Sequence, residues 1–450
     1  MLLLLAGATL CRGAVYARRV TSTVDRPQPE DTDSSGPGGS AVLRLLRTSA
    51  GIAIAMAVMN VGTYAFQMVA ARLLGPSEYG AVAGMMALLM VLSVVQLGLQ
   101  ATAARRIAAT PEDVAAIEQT ILTTTWRAAL VLGAVALLAS PLVWWLLRLD
   151  GLLSAVLLGL CVVPVTVMGG QAGVLQGERR WLPLSLVYLS VGLPRVLIGG
   201  GALLVSATEA SAMAGVLVAS WIPVAIGSWT LRRRTHRAIV TEHDRDVRRD
   251  VRRETYSSSL ALLAFVALSN LDVVVARNVL DDHQAGLYAG GLIVTKAVLF
   301  LPQFAVVILF PSMSTAGESR SAVMRGLAFL SGLGAACVAG TYLLSGLALV
   351  FIGGNDYEDV QSRLWLFAVL GGLLSVLQLL VYAGLAKRGR WTKYLVTLGV
   401  LALVGLGSLA DSLTRLAVTV AVIDVVVVVL LVALQVFRGK KGTETLAAAG

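Results

Sequence analysis

The chain has 450 residues, of which 57% are hydrophobic and only 14% are charged, and its mean hydropathy is +0.81. Soluble domains have about 25% charged residues, so this composition excludes an ordinary soluble enzyme or binding module and indicates an integral membrane protein. The formal net charge of +10 would suggest nucleic-acid binding in a soluble protein, but membrane topology explains it here, and we expect no nucleic-acid partner.

Twelve apolar segments follow one another from residue 48, with polar joins between them. A membrane-spanning helix needs about 20 apolar residues, and all but the short eleventh segment reach that length. In chain order the segments are Thr48–Ala71, Tyr79–Ala104, Ala128–Leu147, Gly151–Gly177, Trp181–Ser206, Ser211–Leu231, Tyr256–Ala276, Leu287–Met313, Gly326–Asn355, Leu364–Ala386, Tyr394–Ala410 and Arg415–Phe437. The sequence therefore predicts an all-α membrane protein with about twelve transmembrane helices, numbered here as spans 1 to 12.

The 36 Lys and Arg residues are distributed very unevenly among the joins. When the joins are numbered alternately, 29 of these residues lie on one side, five lie on the other, and Arg195 and Lys296 lie inside spans. Cytoplasmic loops of multi-pass proteins hold such an excess, and their basic residues contact anionic lipid. We therefore predict that both termini are cytoplasmic. The excess of Arg over Lys suggests a GC-rich bacterial genome, hence the bacterial cytoplasmic membrane.

The longest basic join divides the spans into six and six. The predicted organisation is a disordered cytoplasmic tail at 1–42, an N-lobe at 43–231, a basic cytoplasmic linker at 232–255, a C-lobe at 256–437 and a cytoplasmic tail at 438–450. Because each lobe has an even number of spans, both lobes enter the membrane in the same orientation. This permits a parallel repeat, with two six-helix lobes related by a pseudo-two-fold axis along the membrane normal.

A weak internal repeat supports the two-lobe prediction. Arg72 precedes Gly80 by eight residues in the first hairpin, and Arg277 precedes Gly286 by nine in the fourth. Before span 3, a capping sequence at 110–113 and apolar residues at helical spacing also predict a separate helix along the cytoplasmic interface.

Charged side chains inside the spans are candidates for function, because each costs about 2.5–3.5 kcal/mol at the bilayer centre on insertion scales. Arg195 lies near the middle of span 5 and has no acidic residue one turn away on its own helix. A guanidinium binds an anionic group through two parallel hydrogen bonds. The functional hypothesis is therefore a substrate contact, and the alternative is an ion pair or a packing contact between helices.

Lys296 and Asp424 lie at matching depth in the C-lobe. Each is nine residues from the outer end of its span, counted from Leu287 and from Arg415. The simplest interpretation is a buried ion pair between them, which offsets both desolvation costs. A second interpretation makes Lys296 a substrate contact and Asp424 a proton or Na⁺ site.

Three stretches carry a resemblance to a known family. They are ARLLGPSEYGAVAGMMALLMVLSVVQLGLQATAARR at 71–106, SNLDVVVARNVLDDHQAGLYAGG at 269–291 and LPQFAVVILFP at 301–311. The chain resembles the polysaccharide-biosynthesis flippases, the O-antigen and exopolysaccharide transporters of the multidrug, oligosaccharidyl-lipid and polysaccharide exporter superfamily. The resemblance covers about residues 45–437. The family's pattern has an Asn and an Asp near the outer end of span 7, which match Asn270 and Asp272.

The resemblance implies a two-lobed transporter that switches between inward- and outward-facing states around a cationic cavity. Its relatives move isoprenoid-pyrophosphate-linked sugars, so Arg195 and Lys296 become candidate substrate contacts. Asp272, Asp424, Asn270 and Arg277 become candidates for ion coupling or for a gate. Expected partners are a lipid-linked oligosaccharide, membrane lipids, and glycan polymerase or glycosyltransferase proteins. We expect no cofactor and no metal site, since the three Cys and three His residues have no ligand spacing.

Three alternatives stay open. A multidrug or cation antiporter of the same superfamily would use a carboxylate facing an apolar cavity, whereas the mid-span charge without an acidic neighbour is basic. A polytopic glycan polymerase or ligase would place catalytic residues in a sizeable loop, but every outer join is around ten residues or shorter. We therefore do not expect an enzyme. The third alternative is a scaffold for a glycan-assembly complex that does not itself transport.

Overall fold

The computed structural model describes residue 46 and residues 48–109, 114–232, 262–313, 319–386 and 390–447. Within these ranges all regular structure is helical. The predicted tail at 1–42 and nearly all of the predicted linker at 232–255 lie outside the described residues, so the predicted domain boundaries stay predictions.

The described residues form helices that we assign to the spans by position. The N-lobe comprises Ser49–Leu92, Val94–Ala109, Val114–Leu138, Ser140–Leu147, Leu152–Gly177, Trp181–Pro194, the π-helical Arg195–Gly199, Gly200–Val205 and Glu209–Arg232. The C-lobe comprises 262–268, Leu271–Val279, Asp282–Met313, Ser319–Leu343, Ser345–Ile352, the short helices Asn355–Tyr357 and Glu358–Gln361, then Leu364–Ala386, Arg390–Gly407 and Leu413–Ala447.

These helices account for twelve crossings. Nine helical stretches of the described residues are long and apolar enough to cross a membrane. One of them, Ala50–Ala109, contains two crossings, because the backbone leaves the helical conformation at Gly75 with φ 71°. The helix Asp282–Met313 and the shorter Trp391–Gly407 supply the remaining two. The predicted all-α fold with twelve spans is confirmed.

The helix predicted before span 3 is present and begins at Val114, but it is not separate from that span. Val114–Leu138 is one helix that runs from that region into the membrane, and span 3 continues after Ala139 as Ser140–Leu147. Apolar spacing alone does not locate the end of a helix, and the sequence between the two predicted segments has no residue that ends one.

Small residues bring helices of the N-lobe into close contact. A Cβ atom on Gly173 of span 4 would lie 2.6 Å from the carbonyl oxygen of Gln100 on span 2. In a bilayer, where lipid tails are as apolar as leucine, close backbone packing of this kind holds helices together. Large apolar side chains such as Leu138 and Val205 are exposed, as expected for a surface that faces lipid.

The two lobes contact each other through the repeat-related glycines. A Cβ atom on Gly80, at the start of span 2, would lie 3.2 Å from the Cα atom of Gly286, at the start of span 8. A Cβ atom on Gly286 would in turn overlap the carbonyl oxygen of Pro76. Beside them, the Tyr357 hydroxyl donates a hydrogen bond to the Ala71 carbonyl oxygen at 3.2 Å. This contact lies at the end of the lobes that the charge rule places outside the cell.

The lobe contact leads to a first prediction, for Gly286→Ala. The added methyl group has no space beside Pro76, so we expect the lobes to separate at this end. Double electron–electron resonance between nitroxide labels at the exposed positions 153 and 363, in a variant without native cysteines, would show a new population at longer distance. Gly340→Ala is the control, because a Cβ atom there meets nothing within 4 Å. An unchanged distance distribution in Gly286→Ala would contradict the prediction.

Candidate functional site

Span 7 is broken inside the C-lobe. Ser269 and Asn270 form a turn between the helix at 262–268 and the helix Leu271–Val279, and Asn270 has the non-helical φ and ψ of −139° and −18°. The Asn270 side-chain amide donates hydrogen bonds to the Val266 carbonyl oxygen at 2.7 Å and to the Ser269 hydroxyl at 3.0 Å. The break therefore leaves a backbone carbonyl and an amide oxygen available for another partner.

Lys296 of span 8 occupies this position. Its ammonium donates a hydrogen bond to the Asn270 Oδ1 atom at 3.0 Å and another to the carbonyl oxygen of Ser269. Both acceptors lie in the break of span 7. The sequence matched Lys296 in depth with Asp424 and did not predict a contact with Asn270, whereas the structure joins Lys296 and Asn270 directly.

Asp272 lies in the first turn of the second half of span 7 and is 3% exposed. Its Oδ1 atom accepts a hydrogen bond from the backbone N–H of Val273 at 3.0 Å, and its Oδ2 atom accepts one from the Tyr288 hydroxyl at 3.1 Å. The N-terminal end of a helix favours a negative charge. Asp272 is thus held in place by two donors and by the helix that follows it.

Asp424 of span 12 is fully buried, and neither of its carboxylate oxygens has a hydrogen-bond partner among the described residues. The predicted Lys296–Asp424 ion pair is therefore wrong as a direct contact. Lys296 interacts electrostatically with both Asp272 and Asp424, but its hydrogen bonds go to span 7. The physical reason is the helix break, which offers oxygen acceptors that a count of residue depth does not reveal.

Arg195 of span 5 starts the π-helical turn Arg195–Gly199 directly after Pro194. Such turns are frequent at functional sites. The Arg195 Nε atom is buried without a hydrogen-bond partner in the part of the chain that the structure describes, and the side chain lies near the buried Cys161. The alternative of an ion pair is not observed there. Arg195 belongs to the N-lobe and is separate from the C-lobe group around Lys296.

Arg277 lies at the contact between the lobes and has a 5% exposed side chain. It donates three hydrogen bonds to N-lobe carbonyl oxygens, from Nε to Leu147 at 2.8 Å, from Nη1 to Ser77 at 3.2 Å and from Nη2 to Arg148 at 3.1 Å. Its Nη1 atom also lies 3.1 Å from the Asp282 carboxylate. These contacts would have to open if the lobes separated, so Arg277 stays a candidate gate residue.

Arg148 makes the reciprocal contact, and sequence reasoning missed it. Its guanidinium donates hydrogen bonds to the carbonyl oxygens of Arg277 and Leu280, at the end of span 7. Each arginine therefore caps the C-terminal end of the other lobe's helix, where carbonyl groups are unsatisfied and a positive charge is favourable. The available signal was that Arg148 is one of only five basic residues on the outer side. Arg72, the repeat-related counterpart of Arg277, is exposed.

Two helical lobes with charged side chains in their spans and a contact at one end define a polytopic membrane protein of the transporter class. The sequence identifies the family more closely, because the profile described as "Polysaccharide biosynthesis protein" matches residues 50–316. The chain belongs to this family. No curated protein matches it.

Several solved transporter structures share the fold. An inward-facing multidrug resistance MATE family transporter of the MOP superfamily superposes with a TM-score of 0.72 at 14% identity, covering 87% of this chain and 99% of that one. An outward-facing MATE family transporter gives a TM-score of 0.58 at 15% identity, covering 89% and 98%. A MOP superfamily transporter from Pyrococcus furiosus, described as having a binding pocket of reverse polarity, gives 0.55 at 15% identity, covering 89% and 98%. The predicted fold of two six-helix lobes is confirmed.

The contacts between the lobes show which end is closed. Arg277, Arg148 and Gly286 join the lobes at the predicted outer end. The structure is therefore closed at that end.

A second prediction concerns Arg277→Ala. The substitution removes three hydrogen bonds from a buried charged group, each worth about 1.5–3 kcal/mol. We expect the ratio of the closed to the open state at this end to fall tenfold or more, and the same labels at positions 153 and 363 would report this change. Arg72→Ala is the matched control, because Arg72 is exposed at the repeat-related position. Equal distance distributions in the two variants would show that Arg277 does not hold the contact.

Proposed function

We propose that this protein moves an isoprenoid-(pyro)phosphate-linked oligosaccharide or polysaccharide precursor across the cytoplasmic membrane by alternating access of its two lobes. The proposal is supported by membership of the polysaccharide biosynthesis protein family and by the transporter fold. The single observation that carries it is Arg195, a guanidinium inside the N-lobe whose buried Nε atom has no partner among the described residues.

An arginine in a membrane span whose Nε atom has no partner among the described residues is expensive, and an anionic ligand would offset that cost. A pyrophosphate provides several acceptor oxygens in a geometry that matches the planar guanidinium. The π-helical turn that begins at Arg195 changes the direction in which this part of span 5 presents its side chains. Arg195 would therefore bind the anionic head group, while the lipid tail remains in the bilayer.

Lys296 is the second candidate contact. Its ammonium is hydrogen-bonded to Asn270 and to Ser269 in this structure. It would reach the head group only in a conformation in which those bonds open. Asp272 and Asp424 lie in the same electrostatic group and are the candidates for ion coupling. Outward movement of an anion is in addition favoured by an inside-negative potential, by about 2.3 kcal/mol per charge per 100 mV.

The contact between the lobes provides the gate of this cycle. Arg277 and Arg148 bind mainly backbone carbonyl oxygens, which lie in the same place whatever side chains surround them. A substrate that enters from the cytoplasmic side would be released on the other side after this contact opens. The proposed location is the bacterial cytoplasmic membrane with both termini in the cytoplasm, next to glycan polymerase or glycosyltransferase proteins.

A multidrug or cation antiporter is the second candidate. The observation that favours it is Asp424, a buried carboxylate without a hydrogen-bond partner in the described part of the chain. Such a group is suited to bind a cation or a proton during exchange. The two functions differ in substrate, so a transport assay separates them.

The third prediction tests the function and Arg195 together. Full-length protein in liposomes should give a membrane-impermeant reagent access to a labelled polyprenyl-pyrophosphate oligosaccharide on the opposite leaflet. Arg195→Ala removes the charged hydrogen bonds to the pyrophosphate, so we expect a flipping rate roughly 10- to 100-fold lower. Arg195→Lys keeps the charge but not the planar guanidinium that makes two parallel hydrogen bonds. Its flipping rate should lie between those of wild type and Arg195→Ala.

Arg363→Ala is the matched control, because Arg363 is exposed and, among the described residues, its side chain donates its hydrogen bond within its own segment, to the Asp359 carbonyl oxygen. Normal flipping by a folded Arg195→Ala variant would remove Arg195 from the site and keep the function. Absence of flipping with any lipid-linked sugar, together with export of a cationic dye, would replace the proposed function by drug export.

A further inference from the structure

The break in span 7 has the composition of a monovalent-cation site. The backbone carbonyl of Ser269 and the Oδ1 atom of Asn270 point to one place, and the carboxylates of Asp272 and Asp424 act on that place electrostatically. Broken helices in transporters present unwound carbonyls of this kind to Na⁺ or H⁺. Hard cations such as Na⁺ prefer oxygen ligands. All four groups come from buried residues.

The positive charge at this place is the ammonium of Lys296. The Lys296 ammonium lies 3.0 Å from the Asn270 Oδ1 atom and also contacts the Ser269 carbonyl oxygen. An ammonium is a compact point charge with three donors, comparable in valence to an alkali cation. Lys296 thus uses the oxygen atoms that a free ion would otherwise take.

Asp424 interacts electrostatically with Lys296 and has unused oxygen atoms. Both of its carboxylate oxygens are buried without a hydrogen-bond partner among the described residues. The electrostatic partners of Asp424 are Lys296 and Asp272, and the other polar group at Asp272 is the Tyr288 hydroxyl. A buried acid without donors does not stabilise the fold. Its two free oxygens are available to a mobile cation if the ammonium is removed.

We propose that the Lys296 ammonium is the resident cation of a monovalent-cation site formed by the Ser269 carbonyl oxygen and the Asn270 Oδ1 atom, with the carboxylates of Asp272 and Asp424 supplying the nearby negative charge. In the conformation in which Lys296 makes these bonds, Na⁺ binds there only when Lys296 is replaced by a small neutral residue. The consequence for transport, that the wild-type cycle needs no Na⁺, rests on the proposed function. The site itself does not, because it is tested by binding.

The experiment compares the unfolding midpoint of full-length wild type and Lys296→Ala in detergent. NaCl is titrated against choline chloride at constant ionic strength, so that general screening does not change. We expect a saturable rise of about 5 °C with Na⁺ in Lys296→Ala and none in wild type, because a ligand that binds only the folded state stabilises it. Lys393→Ala is the matched control, since Lys393 lies over the Tyr394 ring and outside this site.

Replacing Asp424 by asparagine tests whether its carboxylate contributes to Na⁺ binding. In the double variant Lys296→Ala, Asp424→Asn the Na⁺ response should disappear. A folded Lys296→Ala variant without a Na⁺ response would overturn the proposal, and so would a response that survives Asp424→Asn. The wild-type measurement tests the proposal even if Lys296→Ala does not fold. A saturable Na⁺ response in wild type would mean that Lys296 does not occupy the site, and would overturn the proposal. None of these outcomes depends on whether the protein flips a lipid-linked sugar.

Discussion

A backbone carbonyl that leaves a helix inside a membrane must find a hydrogen-bond donor within the protein, because lipid offers none. The break of span 7 at Ser269 and Asn270 creates this demand, and the Lys296 ammonium meets it. The same bonds stabilise a charge that would be costly in an apolar interior. The helix break and the Lys296 ammonium therefore depend on each other. The position of Asp272, at the N-terminal end of the second half of span 7, follows from the same break.

The two lobes treat their interior charges differently, although they share one fold. In the C-lobe, Lys296 is hydrogen-bonded to oxygen atoms of its own lobe. In the N-lobe, the buried Nε atom of Arg195 has no partner among the described residues. A charged group whose hydrogen bonds are made within the protein needs no ligand in this conformation, whereas one with an unsatisfied donor can bind a ligand. This difference is the physical basis for assigning substrate binding to Arg195 and cation occupancy to Lys296.

The contact between the lobes uses groups that can part and rejoin. Arg277 and Arg148 cap helix ends of the opposite lobe, and Gly80 packs against Gly286 without intervening side chains. Helix ends have unsatisfied carbonyl groups in either conformation, and water can replace the arginines when the lobes separate. Only a moderate free energy then separates the closed and open states, as alternating access requires.

The twelve spans, the two lobes and the candidate charges followed from the sequence, because span length and charge distribution are properties summed along a chain. The repeat at Gly80 and Gly286 was also visible there. The partner of Lys296 was not, nor was the role of Arg148. Which side chains meet depends on the rotation and tilt of each helix and on where span 7 breaks. Packing between helices that are distant in sequence decides these rotations and tilts. Only the tertiary structure could therefore show that Lys296 donates a hydrogen bond to Asn270 and that Asp424 has no hydrogen-bond partner among the described residues.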